Sequence, residues 1–297
     1  MGNLRLFTLL LGASLLLLSC TQPKENNDIS SENSKNIYIQ LYSVRDAIGA
    51  DFSETIAQVA EAGYTGVEAA GYNDGQFYGI SPEEFKDAIE GVGMEVLSSH
   101  TTRPLETNIE ETNWEAVWDW WDVAIDAHKR AGMKYIVAPW MPTPETLEDL
   151  KQYCDYYNQV GEKCNAAGLG FGYHNHAFEY EEIEGELMYD YMLENTDPDK
   201  VFFQMDVYWT TQGGFSPVHY FNKYPNRFKL LHIKDEKELG GDDGVMDFDT
   251  LFKNLDNSGA EYLIVEVEKY NFDPLESVKM SLDYLLENEN VKADYSK

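Results

Sequence analysis

Eight short apolar runs, each followed by a longer stretch of different periodicity, set the strongest constraint on how this chain can fold. The runs cover residues 37–42, 65–69, 95–99, 135–138, 170–174, 201–206, 228–233 and 262–267. Helical patterns lie between and after them, at 54–62, 83–90, 114–131, 144–167 and 275–287. Pro82, Pro144 and Pro274 open three of these, and Gly63, Gly91, Gly132 and Gly168 follow four. Proline in the first turn and glycine past the last are the expected helix punctuation. Strands alternating with helices predict a parallel sheet with helical crossovers. Eight such units close a barrel, and ~250 residues is its usual size. An open doubly wound sheet is the alternative, but no G-x-G-x-x-G follows the first run, so its dinucleotide-binding form has no support. The expected architecture is a single α/β barrel over residues 37–297.

The N-terminus has a different character. Arg5 precedes an apolar run, 6–18, interrupted only by Thr8, Gly12, Ala13 and Ser14, and Leu17-Leu18-Ser19-Cys20 follows. A run this short is a signal-peptide core, since a spanning helix needs ~20 apolar residues. The pattern resembles a bacterial lipoprotein signal. It implies removal of residues 1–19, lipidation of Cys20 and a lipid anchor in the membrane. The protein is then exported and held to the cell envelope, at the outer membrane or periplasmic face. Thr21, where an Asp would signal inner-membrane retention, fits that placement. Residues 20–36 hold one apolar residue beyond the cysteine, Ile29, and are expected to form a flexible tether. Cys154 and Cys164 fall ten residues apart in one helical pattern, ~15 Å along its axis, so no disulfide is expected.

Charge narrows the partners. Loss of Arg5 with the leader takes the basic residues from 22 to 21 against 53 acidic, a net charge of −32. That balance argues against nucleic acid and anionic membrane surfaces, which demand Lys and Arg, and against a nuclease. It also weighs against a phosphorylated substrate. The oligomeric state is not legible.

In such a barrel, chemistry sits at the C-terminal ends of the strands. Run one ends near Gln40, Tyr42 and Arg45, and run two carries Glu68. Run three leads to His100 and Arg103, run five to His174-Asn175-His176, and run six to Asp206. Run seven carries His232, Lys234 and Asp235, and run eight Glu266 and Glu268. His174, Asp206, His232 and Glu266 are spaced 32, 26 and 34 residues apart, close to the ~31 residues of one barrel repeat. They are expected at similar height on adjacent strands ~4.8 Å apart, where they can converge on one ion. Two imidazoles and two carboxylates suit zinc, manganese, cobalt or iron. Glu268 faces the same way as Glu266 and is the alternative ligand. His128, His219 and the Trp114–Trp121 cluster lie on helical patterns and are expected to pack or face solvent. Trp140 and Trp209 follow strands and are candidates to stack on a sugar.

Residues 37–290 resemble the sugar phosphate isomerase/epimerase family, the xylose isomerase-like TIM barrels. The resemblance rests on QLYSVRD at 40–46, YHNHAFEY at 173–180, MDVYWTTQGG at 205–214, HIKD at 232–235 and LIVEVE at 263–268. It implies a divalent metal held by Glu, Asp, His and Glu on strands five to eight. Asp206, His232 and Glu266 match the last three. Where many relatives read Glu-Asn-His, this chain reads His174-Asn175-His176, which keeps a ligand and removes a carboxylate. Family epimerases use two facing glutamates to remove and return a proton, and only Glu266 remains here. A second acid/base must come from His176, Lys234, His100 or Glu179, and one-base elimination becomes as natural as epimerisation.

The leading expectation is a metal-dependent isomerase or epimerase acting on a small carbohydrate, a sugar or keto-sugar, by proton abstraction beside a polarised carbonyl. Glu266 is the base, His176 the second acid/base and Lys234 the partner of oxyanion charge. Gln40, His100, Trp209 and Glu68 hold substrate. The alternatives are a lyase or hydratase acting on keto-sugars or oxidised glycosides at the same site, and a non-catalytic sugar-binding lipoprotein.

Overall fold

The computed structural model describes residues 1–2, 35–106 and 108–296. Cys20, nearly all of the expected signal sequence and most of the tether fall outside the described residues. Lys35 and Asn36, expected in the tether, belong to the folded body instead. Lys35 Nζ donates to the carbonyls of Leu285, Leu286 and Asn288 at 2.9, 2.8 and 2.7 Å, and Asn36 N donates to Ala293 O at 2.8 Å. Among the described residues, no helix is long and apolar enough to cross a membrane.

Eight parallel strands close into a barrel: β1 Ile37–Gln40, β2 Gly66–Ala69, β3 Glu95–His100, β4 Tyr135–Ala138, β5 Gly170–His174, β6 Val201–Asp206, β7 Phe228–Ile233 and β8 Tyr262–Val265. Each pairs with its neighbours in sequence, and β8 pairs with β1. Strands β4 to β7 have the expected bounds. β1 stops at Gln40 rather than at 42, because the Gln40 side chain captures Tyr42 N at 3.1 Å and turns Leu41–Val44 into a 3-10 helix. β8 stops at Val265, which puts Glu266 one residue past the ladder.

The crossover helices carry local start and stop signals. Asp51 caps Phe52–Ala62, and Gly63 at φ +111° ends it. A capping box of Ser81 and Glu84 opens Pro82–Gly91. Gly91, expected to stop that helix, lies in its last turn, and Gly93 at φ +85° makes the reversal. Pro144 does not open the next long helix. Leu147–Ala167 starts after Thr146, whose side chain accepts from Asp149 N. Cys154 and Cys164 on this helix are free and buried.

Alternate residues of each strand point at the barrel axis. The lower interior is an apolar plug that includes Tyr38, Tyr135, Val137, Phe202, Leu230 and Tyr262. Gly172 supplies no side chain there because the Phe202 ring fills the space: a Cβ at Gly172 would sit 2.4 Å from that ring. Two residues further along each strand the inward side chains turn polar. Tyr38 gives way to Gln40, Phe202 to Gln204 and then Asp206, and Leu230 to His232 and then Lys234. The apolar plug therefore closes the N-terminal end, and the chemistry collects at the C-terminal end.

Candidate metal centre

The ladder explains how residues from four strands converge. His174 pairs with Gln204, Asp206 with His232, and His232 with Ile264. Reaching Asp206 from Gln204, and Glu266 from Ile264, each advances two residues. Tilted strands require this, since a barrel of shear eight climbs on average about one residue per strand. One ligand atom from each of His174, Asp206, His232 and Glu266 lies within 4.8 Å of the others, and all four residues are buried.

The donor atoms fit a cation. Asp206 Oδ1 caps the helix Val207–Gln212 by accepting from Trp209 N at 2.8 Å, while its Oδ2 is buried with no partner. His174 Nδ1 is likewise buried and unpartnered. Such atoms are rare in folded proteins and mark a place for an ion or ligand. The donor set, two imidazoles and two carboxylates, suits a divalent transition metal. Glu268 does not join the cluster; it pairs with Lys234 at 2.8 Å and is more exposed.

Without a cation, protons and neighbours carry the charge. Burial opposes a charged His232, yet Glu68 and Glu266 on either side push it up to about 10. Burial pushes Asp206 up to about 7 against the pull of Lys234. Burial would raise Glu266, but Lys234 and His232 hold it far below the usual carboxylate range. Burial and the nearby rings of His232 and His100 keep His174 neutral.

Beneath the cluster lies a further buried carboxylate. Glu68, expected to hold substrate, is fully buried and accepts from four donors. Its Oε1 accepts from His232 Nε2 at 2.6 Å and Gln40 Nε2 at 2.8 Å, and His100 Nε2 lies 3.1 Å away. Its Oε2 accepts from Ser98 Oγ at 2.6 Å and Gln204 Nε2 at 2.8 Å. Burial alone would raise this carboxyl, but His100 and His232 hold it well below its ordinary value. A carboxylate can only accept, so His232 Nε2 carries a hydrogen and Nδ1 is left for the cluster, 3.3 Å from Glu266 Oε2. Gln40, also expected to touch substrate, is fully buried and spends its amide on Glu68 and its oxygen on Tyr42 N. His100 donates through Nε2 toward Gln204 Oε1 at 2.7 Å and stacks on His232.

The remaining expected residues stand around the mouth. Lys234 Nζ lies 3.2 Å from Glu266 Oε2 and 5.1 Å from the centre of the Trp209 ring. His176 and Trp209 face each other with ring centres 5.9 Å apart. His176 Nδ1 and Trp209 Nε1 are both buried without a partner, and burial drops His176 to about 4. The oxygens of Glu179 accept from Tyr173 OH and His176 N, each at 2.7 Å, and burial pushes its carboxyl up to about 7. His128 is buried and bonded to Ala124 O, and His219 is exposed. Two supports escaped the sequence reading. Asn175 Oδ1 accepts from Asp206 N at 3.2 Å and fixes the β5–β6 rim. Gln204 joins Glu68 to His100, and its inward position between Phe202 and Asp206 was a signal for it.

These features define a parallel (β/α)8 barrel with a buried His/Asp/Glu cluster, consistent with a divalent-metal site, at its C-terminal rim. The chain belongs to the family described as Xylose isomerase-like TIM barrel, which it matches over residues 56–288. A crystal structure of a sugar phosphate isomerase/epimerase from Parabacteroides distasonis ATCC 8503 is similar with a TM-score of 0.82 at 34% identity, covering 90% of this chain and 99% of that one. Inosose dehydratase from Geobacillus thermodenitrificans (strain NG80-2) is 26% identical over 265 residues, 73% of this chain and 82% of the relative. The IOLI protein, solved with a bound zinc atom, shares the fold at a TM-score of 0.66 and 14% identity, over 84% of this chain and 95% of that one.

Proposed function

We propose that this protein is an exported, lipid-anchored, divalent-metal-dependent lyase of the dehydratase type, acting on a keto-sugar by proton abstraction beside the carbonyl. The observation that carries the reading is the single cluster carboxylate free to act as a base. Glu266 is the one cluster carboxylate not spent on a helix cap, while the facing position is His174, whose ring is committed to the cluster. Of the candidates for a second base, Glu179 holds Tyr173 OH and His176 N, Lys234 is paired on the Glu266 side, His100 donates into the Glu68 network, and His176 remains as the neutral imidazole at the mouth.

A divalent ion held by His174, Asp206, His232 and Glu266 would polarise the sugar carbonyl and acidify the neighbouring C–H. Glu266 takes the proton. The Lys234 ammonium, 3.2 Å from that carboxylate, offsets the negative charge that develops on the carbonyl oxygen. The C–O bond at the next carbon then breaks, a C=C bond forms, and the departing oxygen takes a proton. His176, with its buried unpartnered Nδ1, is placed to hand on that proton. The similarity to inosose dehydratases supports elimination. Isomerisation or epimerisation is the second reading, with His176 returning the proton on the other face, and the 34% identity to a sugar phosphate isomerase/epimerase favours it.

The test is Glu266→Gln with metal resupplied in excess. Wild-type protein exchanges the substrate α-proton with deuterated solvent and releases water or an alcohol. The variant keeps its fold and loses both by about 10²–10⁴-fold. Exchange with inversion and no release would replace the lyase by the epimerase. No exchange in wild type across a panel of keto-sugars, with sugar still bound, would make the protein a binding lipoprotein.

A further inference from the structure

Among the described residues, three aromatic side chains stand largely in solvent: Tyr42, Trp140 and Phe272, at 44, 44 and 49% exposure. All three follow C-terminal strand ends, after β1, β4 and β8, and none is on the outer helices. Single exposed aromatics are ordinary on a protein surface, so the case for a ligand rests on how the ring is held.

Tyr42 is the most rigidly built of the three. The Arg45 guanidinium lies 4.4 Å from its ring centre and 5.6 Å from that of Tyr270, so it backs one ring with another. Arg45 is held in turn by Tyr42 O at 3.0 Å, Tyr270 OH at 2.8 Å and Glu268 O at 3.3 Å. One of its groups thus faces a carbonyl of the residue that pairs with Lys234. A second chain of bonds runs from Tyr42 N to Gln40 Oε1 and from Gln40 Nε2 to Glu68, which orients His232. The platform is therefore anchored to both sides of the metal centre, on the strand next to the one that leads to Glu266. A pinned, cation-backed ring is preorganised for stacking, since little side-chain freedom remains to be lost.

We infer that Tyr42, backed by Arg45, is a second-ring subsite: the substrate is a glycoside whose leaving group presents a flat apolar face, either the C–H face of a sugar or an aryl ring. This rests on the lyase reading, in which the group lost at the carbon next to the proton-bearing one is then an alcohol rather than water. The occupied subsite gives the exposed ring a partner, and it needs no charge complement, which a chain of net charge −31 would deny to a polyanion.

Saturation-transfer NMR on metal-loaded Glu266→Gln, which cannot turn over, measures binding of paired methyl and phenyl pyranosides and of cellobiose. The phenyl or the glucosyl ligand binds roughly three- to tenfold tighter than its methyl counterpart, the range of one ring-on-ring contact. Tyr42→Ala collapses that ratio, Tyr42→Phe preserves it, and Arg45→Met reduces it. A preference for phenyl alone identifies an aryl leaving group, and one for cellobiose a second sugar. A ratio near one in all pairs overturns the subsite. So does a Tyr42→Ala protein whose sedimentation changes from dimer to monomer, because the rim would then be a self-association face. A preserved ratio in binding with no turnover by the wild type leaves the subsite standing and removes the lyase reading.

Discussion

Replacing Glu68 by Gln removes one buried negative charge and forces an NH₂ group among donors. If the amide nitrogen takes the Oε2 position, it meets Gln204 Nε2 at 2.8 Å, which cannot accept. If it takes the Oε1 position, it meets the His232, Gln40 and His100 nitrogens at 2.6, 2.8 and 3.1 Å. The second is worse, so the amide turns its oxygen toward His232 and leaves one donor–donor contact. A hydrogen bond to a charged group contributes roughly 1.5–3 kcal/mol, so at least that much stability is lost in the metal-free protein. The larger effect is on the metal. His232 loses the carboxylate that fixes its tautomer and sharpens Nδ1 as a ligand, and such outer partners are worth about 10–100-fold in affinity. Chelator competition at fixed pH, with circular dichroism as the fold control, measures this. Affinity within twofold of wild type would refute the assignment of Glu68 to positioning His232. A selective rise in KM at full metal occupancy would return it to the substrate.

Metal loading strengthens as pH rises. His232 at about 10 and Asp206 at about 7 are both raised in the metal-free state, so cation binding displaces protons from them. His232 lends the metal-free fold stability that is full below its ordinary value near 6.5 and fades as pH approaches 10. Raising Asp206 also takes stability away as pH climbs from about 4 through 7. The metal-induced increase in Tm therefore grows with pH, and a flat increase between pH 6 and 9 would contradict it. Gly172→Ala drives a Cβ to 2.4 Å from the Phe202 ring and lowers stability by about 1–3 kcal/mol in urea melts; a neutral substitution would mean that the plug is loose. Cys20→Ser abolishes lipid labelling and releases soluble exported protein, and a variant still bound after carbonate washing would end the lipoprotein assignment.

Facing was legible in the sequence, and depth was not. Period-two alternation tells that Glu68, Gln204, His232 and Glu266 point inward, and short, mostly apolar runs set between helical patterns marked the limits of β4 to β7. Strand tilt decides how far down the barrel each inward residue lies, and no single run encodes the tilt. Glu68 therefore looked like a rim residue, although it lies on the layer that bonds Gln40 to Gln204. The ends of β1 and β8 were hidden for another reason. Tyr42 and Glu266 continue extended-looking runs, but a side-chain acceptor on Gln40 takes the Tyr42 N–H and ends the ladder. At Thr146 the signal was present as Thr-x-x-Asp, and the proline two residues earlier outweighed it.

The exchange of a carboxylate for His174 alters the charge on which the chemistry depends. The Glu, Asp, His, Glu set implied by the resemblance carries three negative charges, so a divalent ion leaves the centre with one in excess. His174, Asp206, His232 and Glu266 carry two, and a divalent ion leaves none. Lys234 then adds a buried positive charge that is shared between Glu266 and the half-exposed Glu268. At low effective dielectric one unit of charge near a developing oxyanion is worth several kcal/mol. On the proposed mechanism this centre is thus biased toward holding negative charge on the sugar oxygen after the proton leaves. What it lacks is the facing glutamate that would put the proton back. An enediolate that is well held and poorly reprotonated collapses by expelling a group from the neighbouring carbon. In that mechanism the substitution at one ligand position favours elimination twice, by stabilising the anion and by removing one return path.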